Sequence, residues 1–209
     1  MVRDNAGLTD IKIKLYAEKE YLKWKTRLSR LRFKDGTKDK NILVIRPSSI
    51  GCLQAFEEAF PGAVIFWKDY SRSAEMEIRD TGRFRELSQG FVRSYFNFNC
   101  DSSKFDMIII NHCLQHSVSL NDDIEKAKSL LSLGGSVLFA NEVNRKLHNP
   151  FHMNHFSEAG LRDFLVRHLD KVTPVKNGID LDIFKKGLFE DAINKDVLTG
   201  SAIVAKYDS

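Results

Sequence analysis

One stretch of the chain, residues 41 to 71, constrains the fold more than any other. It begins with a short apolar run rich in β-branched residues, Ile42 to Ile45, which is typical of a strand buried on both faces. After a turn, the apolar residues follow helical spacing until Pro61 and Gly62, and a second apolar run follows, Val64 to Trp67. The order strand, helix, strand predicts a βαβ unit with two parallel strands.

Asp69 follows the second predicted strand at its carboxyl end. A carboxylate in that place would meet a ribose diol if a nucleoside bound over the turn that follows the first strand. The structural alternative is that Asp69 caps the next helix or pairs with Arg72. The sequence leaves both interpretations open.

This βαβ stretch resembles the nucleotide-binding half of the class I S-adenosylmethionine-dependent methyltransferases. That family opens with a strand, an acidic residue, a glycine-rich turn, a helix and a second strand that ends in an acidic residue. The elements correspond without a gap, but the turn differs: Val44 replaces the first acidic residue, and Arg46, Ser48 and Ile50 replace glycines. Only Gly51 remains. Glycine permits close approach of the backbone to a ligand and positive φ. Because this turn has lost its glycines, we describe the cofactor loop as degenerate.

A second resemblance begins at residue 105. The apolar run Met107 to Ile110 predicts a buried central strand, with Asn111 and His112 at its carboxyl end. Leu114 to His116 then resembles the Leu-Glu-His pattern that follows this strand in the family. A later loop, residues 149 to 157, is similar to one in methyltransferases of sugar and surface-polysaccharide pathways.

The predicted fold class is therefore α/β: a single doubly wound, mostly parallel seven-stranded sheet with helices on both faces, the Rossmann-like methyltransferase fold. We assign the third strand to residues 91 to 98, and the last two strands to residues 171 to 175 and 201 to 206.

We divide the chain into residues 1 to 40, an N-terminal basic helix that packs on the core, and residues 41 to 209, a methyltransferase-like domain with an insertion at 176 to 198. The helix is predicted over residues 9 to 33. Its candidate core-facing residues are Ile11, Leu15, Leu22, Leu28 and Leu31.

Positive charge is concentrated near the N-terminus. Residues 11 to 40 hold eleven Lys or Arg and four Asp or Glu, although the whole chain has a net charge of only +4. We interpret this segment as a solvated helix face. Docking on RNA or on an acidic partner is the alternative, and such binding would weaken as salt rises.

Other features of the sequence bear on where the protein is located and on whether it binds a metal. No run approaches the ~20 apolar residues of a membrane span, and the first residues have no apolar core of the signal-peptide type. The three cysteines show no metal-binding spacing. We expect a cytoplasmic protein with no membrane span, no metal site and no nucleic-acid partner.

The resemblance implies a binding site for S-adenosylmethionine. Asp69 would accept the ribose hydroxyls, Asn111 would turn its carbonyl to the methionine amino group, and Asn97 would replace the family's usual acidic partner of the adenine. The residues assigned to the cofactor are Arg46, Ser48, Ser49, Gly51, Asp69, Asn97 and Asn111. Arg46 and Pro47 could instead fill the place of the cofactor carboxylate and block the site.

Methyl transfer needs in-line placement of the acceptor and, for a hydroxyl acceptor, a base. The candidate bases are His112, His116, His152 and His155. A histidine in the position of His116 is more often structural than catalytic, with its ring bonded to backbone. No cysteine or carboxylate completes a metal signature with these histidines.

Two functions follow. The first is transfer of a methyl group to a small-molecule or sugar-type acceptor, which Asp69, Asn111 and the histidines favour. The second is a methyltransferase-like interaction or scaffolding protein, with a protein partner, that has lost cofactor binding. Val44 in place of the first acidic residue, and Arg46, Ser48 and Ile50 in place of glycines, favour this second function.

Overall fold

Strands and helices alternate along most of the computed structural model, which describes residues 4–29, 36–87, 104–142, 152–169, 171–175 and 200–206. The helices are α1 (Asp4–Leu28), α2 (Ile50–Ala59), α3 (Arg72–Arg79), α4 (Leu120–Leu130) and α5 (Glu158–Val166), with a 3-10 helix at Leu114–His116. The strands are β1 (Asn41–Ile45), β2 (Val64–Lys68), β3 (Arg85–Glu86), β4 (Phe105–Asn111), β5 (Leu131–Glu142), β6 (Lys171–Val175) and β7 (Gly200–Lys206).

The described strands form one sheet in the order β3-β2-β1-β4-β5-β7-β6. Strands β1 to β5 are parallel, and β7 runs antiparallel between β5 and β6. The chain passes from one side of the sheet to the other between β1 and β4, so a crevice is expected at their carboxyl ends. We call this place the crevice.

The α/β class and the mostly parallel sheet are therefore confirmed. The predicted strand at residues 91 to 98 lies outside the described residues, and β3 is a separate two-residue strand that pairs with β2. The particular set of seven strands given above stays a prediction.

Side chains of the central strands alternate between two cores. Leu43 and Ile45 of β1 pack in one core with residues of α4 and α5, whereas Ile42 and Val44 pack in the other with residues of α1, α2 and α3. This period of two is what a strand buried on both faces requires. Helices thus cover both faces of the sheet, as predicted.

The N-terminal helix differs from its prediction in extent and in orientation. It spans Asp4–Leu28, and residues 30 to 33 of the predicted helix lie outside the described part of the chain. Leu28 is buried as expected, but Ile11 and Leu15 are 56% and 44% exposed. Their assignment to the core was wrong, because the helix turns the side that holds Trp24 and Leu28 toward α2.

The predicted strands at 171 to 175 and 201 to 206 are both present, as β6 and β7. The predicted insertion at residues 176 to 198 lies outside the described residues. None of the helices in the described ranges combines the length and the apolar composition that crossing a bilayer requires.

Candidate functional site

Arg46 ties the loop after β1 to the carboxyl end of β4. Its guanidinium Nη1 donates a hydrogen bond to the carbonyl of His112, and its own carbonyl accepts one from Asn111 Nδ2 at 2.8 Å. Its backbone N–H also donates to the carbonyl of Lys68 at 2.7 Å. Two side-chain hydrogen bonds therefore cross the crevice between β1 and β4.

The same loop holds two residues with side chains in the left-handed backbone region. Arg46 has φ 60° and Ser48 has φ 69°, values that glycine adopts without steric cost. Ser48 is fixed on two sides: its Oγ donates to the carbonyl of Arg46 at 3.3 Å, and it hydrogen-bonds with the side chain of Tyr16 from α1. Contacts with neighbouring elements thus hold a backbone conformation that glycine would adopt without strain.

Asp69 is 1% exposed, and backbone groups engage both of its carboxylate oxygens. Oδ2 accepts the N–H of Ser48 at 2.8 Å, and Oδ1 accepts the N–H groups of Tyr70 and Ser71 at 2.7 and 2.8 Å. Burial raises the pKa of Asp69, and the three hydrogen bonds oppose that shift. The carboxylate therefore fastens the loop after β1 to the start of α3.

The start of α2 is covered by its neighbours. A Cβ atom on Gly51 would lie 1.8 Å from the carbonyl oxygen of Ala17, so glycine here permits α1 to pack directly on α2. The carboxylate of Glu77 accepts the N–H of Ile50, and burial raises the pKa of Glu77. Ser49 precedes the helix, but its buried Oγ makes no capping bond.

The carboxyl end of β4 presents a buried amide and a neutral imidazole. Asn111 Oδ1 is buried with no hydrogen-bond partner among the described residues. Burial lowers the pKa of His112 well below its usual value, and the nearby charges of Lys23, Arg27 and Arg46 lower it further. The ring Nδ1 of His112 lies 3.3 Å from the side-chain nitrogen of Gln115.

Gln115 and Asn154 join the 3-10 helix to the segment before α5. The carbonyl of Gln115 accepts the backbone N–H groups of Met153 and Asn154 at 2.7 and 3.0 Å. Asn154 Nδ2 donates to the carbonyls of Leu114 and Ser117 at 3.1 and 2.7 Å. These four bonds hold residues 152 to 155 beside the crevice.

That attachment brings three of the predicted histidines together. The ring centroids of His116 and His152 are 4.8 Å apart, and those of His152 and His155 are 6.1 Å apart. His152 is also close enough to His112 to lower the pKa of that ring. Within the described ranges, no group of three His, Cys, Asp or Glu side chains is arranged to hold a metal ion.

Charged side chains from α1 face the crevice. Glu20 and Arg27 are buried, and Lys23 lies 3.1 Å from Glu20. The Arg27 guanidinium also lies over the ring of Trp24, 5.1 Å from its centroid. Because of burial, the pKa values of Lys23 and Arg27 are lowered. Charged side chains of α1 therefore lie next to the crevice, close enough for Lys23 and Arg27 to affect His112.

The structure brings most of the predicted site residues to one place. Those around the crevice are Arg46, Ser48, Ser49, Gly51, Asp69, Asn111, His112, His116, His152 and His155. Asn97 lies outside the described residues. Sequence reasoning missed Glu77, which no motif marks, and Gln115, whose departure from the Leu-Glu-His pattern was the available signal.

Comparison with solved structures gives the fold. A chain from a complex that contains the Haloferax volcanii Trm112 methyltransferase activator matches with TM-score 0.69 and 14% identity, over 99% of this chain and 98% of that one. The plantazolicin methyltransferase BpumL, solved with SAH, matches with TM-score 0.62 and 14% identity over 94% and 90%. This is the class I methyltransferase fold.

A third match is an O-methyltransferase family protein from Burkholderia thailandensis, with TM-score 0.57 and 12% identity. The match covers 87% of this chain and 54% of that protein. No protein-family model and no curated protein sequence matches the chain. Sequence identities of 12–14% show that the chain shares the methyltransferase fold, but they do not show that it shares the activity.

The methyltransferase fold implies S-adenosylmethionine as a cofactor, and the residues present do not fit it in this arrangement. The ribose would need Asp69, whose side chain is buried and whose oxygens face the backbone of Ser48, Tyr70 and Ser71. The methionine part would need the space that the hydrogen bonds of Arg46 cross. The protein's own groups close the crevice.

Proposed function

We propose that this protein is a methyltransferase-like protein that acts by binding a partner protein and does not use S-adenosylmethionine. The hydrogen bond from Arg46 to the carbonyl of His112, across the crevice of the fold, is the observation that carries the proposal. The carboxylate of Asp69 supports it, because its two oxygens already accept three backbone N–H groups and so have little capacity left for the two hydroxyls of a ribose.

A partner protein is consistent with the comparisons. One chain of similar fold comes from a complex that contains a methyltransferase activator, and that match extends over nearly the whole of both chains. A methyltransferase fold can thus form part of a two-protein assembly. For this chain the partner is a proposal, and its identity is not implied by that complex.

Methyl transfer to a small-molecule or sugar-type acceptor is the second candidate. It is favoured by three buried polar atoms near the crevice that have no partner within the described residues: Ser49 Oγ, Asn111 Oδ1 and Gln115 Oε1. Buried polar atoms are ordinarily satisfied, so a ligand is one way to complete them. The neighbouring rings of His116, His152 and His155 would be available to such an acceptor.

Titration of the purified protein with S-adenosylmethionine by calorimetry separates the two candidates. We expect no heat of binding for the wild-type chain at S-adenosylmethionine concentrations up to about 1 mM. A dissociation constant of about 1 mM corresponds to a binding free energy of about −4 kcal/mol. Arg46→Gly should gain measurable affinity, because it removes the guanidinium bond and places glycine at φ 60°. Lys40→Ala, before β1, is the control for the loss of a cation without a change in the crevice.

Two outcomes would overturn the interaction proposal. Wild-type affinity in the micromolar to sub-millimolar range that Asp69→Ala abolishes would establish a cofactor site and favour methyl transfer. Circular dichroism of Asp69→Ala must match the wild type for that conclusion. Equal affinity of the wild type and Arg46→Gly would show that Arg46 does not close the crevice.

A further inference from the structure

The side of α1 that faces the crevice is polar. Tyr16, Glu20, Lys23 and Arg27 are separated by four, three and four residues, a spacing that places them on one side of a helix. Glu20 and Arg27 are 4% and 5% exposed, and the side chain of Lys23 is 14% exposed. Charged side chains are rarely buried unless they are paired, so this side of α1 needs partners in the crevice.

The carboxylates near the crevice already have hydrogen-bond donors. Both oxygens of Glu20 accept from Lys23 Nζ, at 3.1 and 3.2 Å. Asp69 accepts three backbone N–H groups, and Glu77 accepts the first N–H of α2. Each of these carboxylates is therefore engaged at a fixed position.

Cationic donors remain on Arg46. A guanidinium carries several N–H donors. Among the described residues the side chain of Arg46 bonds only the carbonyl of His112, through Nη1, which leaves its other nitrogens for a ligand. Lys23 and Arg27 add positive charge at the same place: burial lowers the pKa of the His112 ring, and the charges of these two residues lower it further. A negative group beside Arg46 would be attracted by all three cations.

Two buried amide oxygens beside these cations lack donors. Asn111 Oδ1 and Gln115 Oε1 have no hydrogen-bond partner within the described ranges, although the two residues are only 1% and 3% exposed. Asn111 Nδ2 donates to the carbonyl of Arg46, and Gln115 Nε2 lies 3.3 Å from His112 Nδ1, so both amides belong to the same network. Such oxygens require N–H or O–H donors, and a ligand hydroxyl supplies one without adding positive charge.

We propose that the crevice binds a small hydroxylated acid between Lys23 of α1 and the network of Arg46, Asn111 and Gln115. The acidic group, a phosphate or a carboxylate, would accept hydrogen bonds from Arg46 and Lys23, and the hydroxyls would donate to the two amide oxygens. Arg46, His112 and Lys23 are partly exposed, so a small molecule can reach them. The inference goes beyond the proposed function, because it involves neither S-adenosylmethionine nor a partner protein, and the two proposals can fail separately.

A matched set of small molecules tests both parts of the proposal by calorimetry at constant ionic strength. Glycerol 3-phosphate and glycerate carry an acidic group with hydroxyls, propyl phosphate and butyrate lack the hydroxyls, and glycerol lacks the charge. We expect saturable binding of a hydroxylated acid with a dissociation constant of about 1 mM or below, and the tighter of the two identifies the acidic group. Its hydroxyl-free counterpart should bind about tenfold more weakly, and glycerol should not bind.

Variants of the protein locate the two parts of the site. Gln115→Met should abolish the preference for the hydroxylated acid over its hydroxyl-free counterpart, whereas general damage to the fold would weaken both equally. Arg46→Gln and Lys23→Gln should each weaken binding of the acid about tenfold. Arg83→Gln is the matched control and should bind normally, because Arg83 pairs with Glu57 at the surface.

The ring signals of His112 in NMR spectra, assigned with His112→Asn, should shift as the acid saturates the protein. Circular dichroism of each variant must match the wild type, and Gln115→Met, which changes no charge, keeps the test if the other two variants unfold. Absence of binding of both hydroxylated acids at about 10 mM would overturn the proposal. Equal binding of the hydroxyl-free acids, equal effects of Arg46→Gln and Arg83→Gln, or unchanged His112 signals would also overturn it.

Discussion

At the scale of single residues, His112 shows how the fold changes the chemistry of a side chain. Its backbone lies at φ 53°, and its N–H donates to the carbonyl of Ala140 at 2.7 Å. Burial comes first among the causes that lower its pKa, and the charges of Lys23, Arg27 and Arg46 act in the same direction. The imidazole is therefore neutral at physiological pH and suited to hydrogen bonding.

This lowered pKa predicts a pH-dependent stability. Below about pH 6.5 the unfolded chain protonates His112 while the folded chain does not, so stability is lost as the pH falls. From this residue the slope is at most about 1.4 kcal/mol per pH unit below about pH 6.5, and it ends where the pH reaches the lowered pKa of the folded state. We expect His112→Asn, which tolerates positive φ, to remove that slope in urea denaturation at several pH values.

The control for His112 is a histidine on another element. His168 follows α5, and its Nδ1 lies 3.3 Å from Glu125 Oε1. His168→Asn removes one histidine without altering the crevice. If both variants changed the pH dependence of unfolding equally, the surroundings of His112 would not be the cause.

At the scale of elements, the contact between α1 and α2 depends on Gly51. A Cβ atom there would lie 1.8 Å from Ala17 O and 2.6 Å from Ala17 C, which are backbone atoms that cannot rotate away. Trp24 strengthens the same contact, with its ring centroid 5.3 Å from that of Phe56. The glycine that remains in the degenerate turn is thus explained by helix packing.

Gly51→Ala should destabilise the protein even though alanine favours helix formation by about 1 kcal/mol. The clash forces α1 away from α2, and overpacking of this kind typically costs about 1–3 kcal/mol. Urea denaturation measures the loss, and near-ultraviolet circular dichroism reports the surroundings of Trp24. The matched control is Gly160→Ala in α5, whose Cβ would meet only the side-chain oxygen of Ser157, at 3.0 Å. Equal stability of Gly51→Ala and the wild type would contradict the proposed packing.

At the scale of the whole molecule, one sheet joins two cores. Both tryptophans, Trp24 and Trp67, lie in the core beneath α1, α2 and α3, whereas Leu161 lies in the core beneath α4 and α5. The strands supply alternate side chains to each core. Loss of one core therefore removes support from the strands that form the other.

This arrangement predicts that damage in one core is reported in the other. Leu161→Ala should cost about 2–5 kcal/mol, because it leaves a cavity beside α5. The midpoint of urea unfolding should fall equally by tryptophan fluorescence, which reports the opposite core, and by far-ultraviolet circular dichroism. Val166→Ala, at an exposed position of α5, should change stability by less than about 0.5 kcal/mol. An unchanged fluorescence midpoint in Leu161→Ala would show that the two cores unfold separately.

The sequence by itself determined the βαβ unit, the central strand and the end of α2. These features are encoded locally: the apolar runs Ile42 to Ile45 and Met107 to Ile110 have the composition of buried strands, and Pro61 and Gly62 stop a helix. Short-range patterns of this kind do not depend on contacts between distant parts of the chain.

Only the tertiary structure decided how the site is arranged and which side of α1 is covered. From the sequence, Asp69 could bind a ribose, cap the next helix or pair with Arg72. The structure adds a partner that no local pattern indicates, the N–H of Ser48, which lies 21 residues away in the chain. The helix α1 has apolar residues on more than one side, so its sequence did not select the buried one. The close approach of Ala17 to Gly51 selected it, because backbone contact between two helices is a property of their packing.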